Sequence, residues 1–394
     1  MTEPIVRIAA RGDGVSTSGK HVAFAVPGDT LLDDGTLVEG PGHQLPPCRH
    51  FPECGGCQLQ HLTDAAFADY CSSRIVGALA QHGLSTDLRP TYLSPPRTRR
   101  RASLRAGRAG GRILIGFNAA ASHQIVDMHE CHVLLPALFE LVAPLRKLLP
   151  PMLAPKHTAE IQMTLADQGV DVALKGVEVV GLGAVEALTE FCERYRLARL
   201  TIDEGYGPEP RFEPDAVTIT LSGTSVGLPA GAFLQATADG EAVLIACVRE
   251  AIGDAQKPAD LFAGLGTFAL ALVGKITAAE AARDAILSLK AAATRSGKAV
   301  EAVHRDLYRR PFDTADLANF DAVVLDPPRA GAIEQVRHLA ASSVPRIAYV
   351  SCNPATFARD AELLVAGGYR LNWVRPVGQF RWSTHVELAS SFSR

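Results

Sequence analysis

Two short apolar runs, residues 322–325 and 347–350, are rich in Val and Ile, and each gives way at once to polar residues and proline. Runs of this length read as strands buried on both faces, as in a parallel sheet. Asp326 and Cys352 then fall at the carboxyl ends of neighbouring strands, the edge of an open α/β sheet where ligands bind. Upstream, residues 260–268 have the form strand, glycine turn, helix, and Gly264 and Gly266 let the backbone approach a ligand closely. Glu280 closes a second strand, and Asp306 follows a third at 300–304. Acids at successive strand ends suit a ribose and base. A helix is expected from Gly231 to about Ile252, and residues 369–377 and 385–392 form a closing hairpin.

Elsewhere the periods change. Phe67, Tyr70, Ile75 and Leu79 recur at helical spacing over 62–82 and stop at Gly83. Further helices are expected at 136–149 and 185–195, with strands at 160–164, 170–174, 200–203 and 217–221. Residues 5–42 alternate short apolar runs with Gly and Asp turns, which suggests an abbreviated OB-like β segment. The pattern divides the chain at 1–44, 45–230 and 231–394, with an α/β, Rossmann-like domain last and an α+β domain before it.

The chain has 394 residues, of which 47% are hydrophobic and 21% charged, enough for two or three ordinary domains. The amino end carries no basic and apolar signal region, and no apolar run approaches the roughly 20 residues that span a membrane. A cytoplasmic monomer without an obligate protein partner is the expectation. A net charge of −3 does not advertise a nucleic-acid binder. The distribution says more. Seven arginines fall between Arg97 and Arg112 with no acid among them, and guanidinium forks match phosphate oxygens.

Cys48, Cys54 and Cys57 form a C-x5-C-x2-C cluster, and Cys131 stands in His129-Glu130-Cys131-His132. Thiols this close in a reducing compartment point to metal rather than disulfides, either zinc or an iron–sulfur cluster. Cys71, Cys192 and Cys247 lie within apolar segments and read as core filler.

Asp326-Pro327-Pro328-Arg329, Ser351-Cys352-Asn353-Pro354 and His385-Val386-Glu387 occur in the order found in the S-adenosylmethionine-dependent RNA uracil-5-methyltransferases. The chain resembles that family from about Cys48 to its end, and most closely the iron–sulfur members that act on 23S ribosomal RNA. The resemblance implies a class I methyltransferase domain at 231–394 and Cys48, Cys54, Cys57 and Cys131 holding a [4Fe-4S] cluster. It implies that Gln235, Phe262, Thr267, Glu280, Asp306 and Asp326 bind S-adenosylmethionine, with Thr267 where the family often has Asn. It makes Cys352 the nucleophile, Glu387 the general base, and Phe233 an aromatic that stacks on the target base.

The chemistry agrees with these residue types. Carbon 5 of uracil is a poor nucleophile until a thiolate adds at carbon 6, and a base must then remove the carbon-5 proton. Pro354 suits the first position of a helix, and that helix with Arg329 or Arg359 is expected to lower the Cys352 thiol pKa. Three other readings compete. A transfer-RNA uridine-5-methyltransferase shares the catalytic motifs but usually lacks the cysteines. An amino-group methyltransferase would put an aromatic where Arg329 stands. A non-catalytic iron–sulfur RNA-binding or ribosome-assembly factor would need neither Cys352 nor Glu387.

Overall fold

The computed structural model describes residues 2–394. Its first five strands are short: β1 (Glu3–Ile8), β2 (Gly14–Ser16), β3 (His21–Val22), β4 (Thr30–Leu31) and β5 (Leu37–Val38). They pair antiparallel in the order β3-β2-β1-β4-β5, which leaves β3 and β5 as edges. Beyond the cysteine loop come α1 (Asp64–Gln81), β6 (Asp87–Leu88) and β7 (Tyr92–Leu93). Thr63 caps α1 by accepting from Ala66 N, and Phe67, Tyr70, Ile75 and Leu79 form its buried face. Both β6 and β7 pair with a strand near the carboxyl end of the chain.

A second sheet has the order β13-β12-β11-β10-β8-β9. Its members are β8 (Arg101–Ala109), β9 (Arg112–Gly116), β10 (Thr158–Ala166), β11 (Gly169–Lys175), β12 (Arg199–Asp203) and β13 (Pro208–Phe212). Packed with it are α2 (Pro136–Phe139), α3 (Val142–Leu148) and α4 (Leu182–Arg194), whose Leu138, Leu145 and Phe191 share its core. The single helix expected over 136–149 is therefore two. Pro144 lacks an N–H and its ring crowds the carbonyl four residues back, which breaks the helix near Glu140. A hairpin of β14 (Thr218–Leu221) and β15 (Thr224–Gly227) follows. Neither β13 nor β15 was anticipated, because Pro-Glu-Pro and a lone Thr-Ser-Val carry little strand signal.

The carboxyl half holds α5 (Ala238–Ile252), β16 (Pro258–Leu261), β17 (Ile276–Glu280), α6 (Arg283–Ser296), β18 (Val300–His304), α7 (Thr314–Leu317) and β19 (Ala322–Leu325). It continues through α8 (Ile333–Ala340), β20 (Arg346–Ser351), α9 (Pro354–Ala366), β21 (Arg370–Gly378) and β22 (Glu387–Ser393). The sheet runs β18-β17-β16-β19-β20-β22-β21-β6, parallel from β18 to β20, with β22 antiparallel to both neighbours. The chain leaves β16 for one side of the sheet and returns to the other at β19, so their carboxyl ends form the switch-point crevice. Val324 and Ala348 pack with α5 and α6, while Val323, Leu325 and Tyr349 pack with α1, α8 and α9. Alternate residues thus bury both faces. No helix among the described residues is long and apolar enough to cross a membrane.

Two expected helical stretches are not helix. Residues 262–273 after β16 are turns. Ala269 N donates to the buried Asp260 Oδ2 at 2.8 Å, so the backbone there wraps a carboxylate instead of continuing regularly. Residues 231–237 are irregular, and α5 starts only after Thr237, whose hydroxyl accepts from Gly240 N at 3.0 Å. Arginines hold this stretch extended. Arg100 Nε donates to Gln235 O at 3.0 Å and Arg101 Nη1 to Leu234 O at 2.9 Å.

Arg100 also pairs with Glu241 of α5 at 2.6 Å, and both residues are buried. Removing one member of a buried pair leaves an uncompensated charge, at about 3–5 kcal/mol. Arg100→Ala should lower urea-unfolding stability by about that amount, whereas exposed Arg105, 3.4 Å from Glu160, should cost less than about 1 kcal/mol as Arg105→Ala. Equal small losses would show that the pair does not join α5 to the arginine strand.

Candidate active site

Strand ends deliver the predicted residues to one edge. Phe262 follows β16 with φ +65° and lies 5.6 Å from the Tyr308 ring, centroid to centroid. Glu280, the last residue of β17, accepts from Gly264 N at 2.9 Å and from Ala282 N at 2.7 Å. Asp306, just past β18, accepts from Tyr308 N at 3.0 Å. The two glycines of the turn act differently. A Cβ at Gly264 would meet nothing within 4 Å, whereas one at Gly266 would stand 2.4 Å from Leu289 of α6. Gly264 therefore borders open space, and Gly266 permits helix packing. Thr267 lies in the same turn, but its side chain enters none of these contacts.

A second group meets beside β19, β20 and β22. Gln235 Nε2 donates to Asp326 Oδ2 at 3.1 Å. Gln379, the residue after β21, donates from Nε2 to Gln235 Oε1 at 2.8 Å and to Glu387 Oε2 at 3.0 Å. Burial pushes Asp326 up to about 7. Burial and then the charge of Asp326 push Glu387 up to about 8, against the opposing pull of Gln379 and Arg329.

Cys352 lies where expected, between β20 and α9, with Asn353 Oδ1 accepting from Ala355 N at 3.1 Å and Pro354 opening the helix. Its thiol is not lowered. Burial first, then the charges of Glu387 and Asp326, raise it to about 11, with Arg329 pulling the other way. Arg359 is occupied, donating to Asp360 Oδ1 from Nε at 2.9 Å and Nη2 at 2.7 Å. The expectation of an activated thiol counted cations by sequence distance, and burial beside two acids outweighs the one guanidinium that faces it. Arg329 Nη2 also meets His385 Nδ1 at 2.5 Å, and Asn353 Nδ2 and Thr356 Oγ1 hold the Arg329 carbonyl at 3.0 and 3.1 Å.

Cys48, Cys54, Cys57 and Cys131 line one small cavity with Phe117, Val126 and Val133. Burial raises all four thiols, Cys57 to about 12. No three His, Cys, Asp or Glu among the described residues are arranged to hold a metal ion. Trp382, in the turn between β21 and β22, packs on Cys57, Cys131 and Val133. Gln58 N and Leu59 N both donate to Trp382 O, at 2.8 and 2.9 Å. The cysteine loop is thus bonded to the turn that leads into Glu387.

The arginines divide by environment. Arg100 is buried in the pair with Glu241, and Arg101 lies 4.8 Å over the ring of Phe233, which is 62% exposed. Arg99 Nε bonds Arg101 O at 3.1 Å, and burial lowers its pKa. Of the seven arginines from Arg97 to Arg112, only Arg97, Arg105 and Arg112 are exposed. Near Arg105, an open groove of about 560 Å³ is also lined by Arg11, Gln58, Asn118 and Thr384. Sequence reasoning missed Gln379 and Tyr308, since a Gln before Phe and a Tyr after Asp306-Leu307 carry no spacing signal.

A family model described as tRNA (Uracil-5-)-methyltransferase matches residues 226–393. The chain is 50% identical over 393 residues to an uncharacterised RNA methyltransferase of Zymomonas mobilis, covering 99% of each chain. Over 426 residues it is 30% identical to the 23S rRNA (uracil(1939)-C(5))-methyltransferase RlmD of Halomonas elongata, covering 95% of this chain and 87% of that one. The Pyrococcus abyssi tRNA (uracil-54, C5)-methyltransferase, solved with S-adenosyl-L-homocysteine, shares the fold at TM-score 0.76 and 22% identity, over 100% of this chain and 99% of that one.

Proposed function

The chain belongs to the RNA uracil-5-methyltransferase family, and from that premise we propose that it methylates carbon 5 of a uridine through an adduct on Cys352. The observation that carries this reading is the meeting of Cys352, Asp326 and Glu387, with Gln235 and Gln379 bonded between the acids. The Cys352 sulfur, as thiolate, adds to carbon 6, and carbon 5 becomes nucleophilic. S-adenosylmethionine would supply the sulfonium methyl, which bonds to carbon 5 as its bond to sulfur breaks and S-adenosylhomocysteine leaves as the neutral thioether. Glu387 takes the carbon-5 proton, and the carbon 6–sulfur bond breaks to release Cys352. Phe262, Glu280 and Asp306 fit an adenosine at the strand ends, with Gly264 leaving space beside them. Gln235 and Asp326 stand nearer the thiol. Thr267 has the weakest support.

RNA carrying 5-fluorouridine should trap a stable protein–RNA complex, because fluorine cannot leave as the proton does. Cys352→Ala should abolish the complex, and Glu387→Gln should accumulate methylated RNA still attached, with turnover lowered about 10²–10⁴-fold. A complex that survived Cys352→Ala would sink the nucleophile. The resemblance to an enzyme named for 23S rRNA over 95% of the chain favours ribosomal RNA. Loss of 5-methyluridine from transfer RNA alone, in cells with Cys352→Ala, would transfer the reading to that substrate.

We assign the four-cysteine cavity to a [4Fe-4S] cluster. Four thiols round one cavity suit a cluster in which each cysteine would bind its own iron. Such a group supplies cross-linking rather than a redox step, since the methylation needs none. Anaerobically purified protein should contain close to four iron atoms with matching sulfide, while one zinc without sulfide would overturn the assignment.

The RNA path is proposed over the groove lined by Arg105 and Arg11. Arg11→Ala with Arg105→Ala should weaken RNA binding and flatten its salt dependence by ~0.7–0.9 per lost phosphate contact, leaving S-adenosylmethionine affinity unchanged. An unchanged salt slope would place the RNA elsewhere.

A further inference from the structure

Gln379 is 2% exposed, and its surroundings leave its amide one orientation. Ala236 N, which can only donate, meets Gln379 Oε1 at 3.1 Å. That fixes the amide oxygen toward α5 and turns both Nε2 hydrogens the other way. One goes to Glu387 Oε2 and the other to Gln235 Oε1. Because Gln235 Oε1 is then an acceptor, its own Nε2 must face Asp326, as observed. A single backbone N–H therefore sets the direction of a chain of donors that ends on both acids. The packing is close. A Cβ on Gly240 would stand 2.9 Å from Gln379 Cβ, so the first turn of α5 comes this near only because residue 240 has no side chain.

We propose that Gln379 is a positioning residue for the methylation, holding the Glu387 carboxylate by one oxygen and turning Gln235 toward Asp326. The proposal rests on Glu387 being the base. With Oε2 engaged by Gln379, Oε1 is the oxygen left to take the carbon-5 proton. The hydrogen bond favours the charged form of Glu387, the form a base requires. Of the other groups facing Glu387, Asp326 opposes its ionisation, Arg329 favours it and meets His385, and Cys352 is itself raised by the Glu387 charge. On α5, Glu241 is paired with Arg100.

Gln379→Leu keeps the bulk and removes both donors. A hydrogen bond to a charged group corresponds to about one to two pH units. The acid limb of kcat, which reports the base in the complex, should therefore rise by about that much from the value of about 8 to which Glu387 is held. At pH 7 kcat should fall at least tenfold and recover toward the native value by pH 10. The rate of trapping on 5-fluorouridine RNA should hold, since that step precedes the base. Gln379→Asn, with the same amide on a shorter arm, should restore part of the loss. Independently of turnover, ¹³C NMR of the Glu387 carboxyl, assigned with Glu387→Gln, should titrate near 8 in the native protein and higher in Gln379→Leu. An unmoved carboxyl titration, or a loss equal at every pH, would overturn the proposal. A moved titration without a moved rate profile would keep the contact and instead remove Glu387 as the base.

Discussion

The carboxyl edge of the large sheet is shaped by the cost of placing Asp260, Asp326, Glu387 and Cys352 together where water is scarce. Ionised, three acids and a thiolate would repel one another in a medium that screens poorly. Burial holds Asp260 and Asp326 up to about 7, Glu387 to about 8 and the thiol to about 11. Folded, the acids bind protons more tightly than in the unfolded chain. They contribute stability that is full below the ordinary carboxylate range and is lost as pH rises through about 7–8. Arg329 is the one cation that opposes this at both Cys352 and Glu387. A site so poor in positive charge is matched to a ligand that brings its own, and a sulfonium does so.

The turn between β21 and β22 carries this constraint outward. Gln379 reaches into the acid pair, Phe380 lies beneath Arg99 at 5.7 Å, and Trp382 packs on the cysteine cavity. Trp382 holds φ +58°, a conformation costing of order 1–3 kcal/mol for a bulky residue, which persists only when its surroundings fix it. The two backbone bonds from the cysteine loop to its carbonyl, with its ring against Cys57, provide that fixing. A group that cross-links the cysteines would therefore also steady the segment leading into Glu387. The proposed cluster, which would take part in no redox step, would thereby have a physical reason to lie beside the proposed methyl-transfer site.

Much of the sheet was readable because its signals are local. The runs around Val323 and Ile347 are apolar for strand length and stop at Asp326 and Cys352, and both faces are indeed buried. Alternation placed the closing hairpin correctly, so Glu387 appears at the start of β22. What was not readable depends on partners distant in the chain. Residues 231–237 have a helical composition, yet arginines about 135 positions earlier hold their carbonyls. The raised thiol of Cys352 depends on burial and then on Glu387, and Gln379 gains its bonds only when residues 235–236 and β22 close around it. The arginine run shows the same limit. Composition marks guanidinium groups as suited to phosphate, but only packing shows that Arg100 is used against Glu241.

The missing helix after β16 bears on which ligand the crevice can take. A helix beginning at the glycine turn would present several free N–H groups, the arrangement that holds a pyrophosphate. Here the turn's amides are directed at side chains. Gly264 N donates to Glu280, Ala269 N to Asp260, and beyond β18 Tyr308 N donates to Asp306. Each of these side chains satisfies an amide that an anion would otherwise use. A dinucleotide would have to displace these bonds and bring two further negative charges among acidic residues. A nucleoside without phosphate meets neither obstacle, since its ribose hydroxyls can donate to the same carboxylates. The arrangement that excludes a phosphate-bearing cofactor is thus the one that accommodates a cationic nucleoside methyl donor.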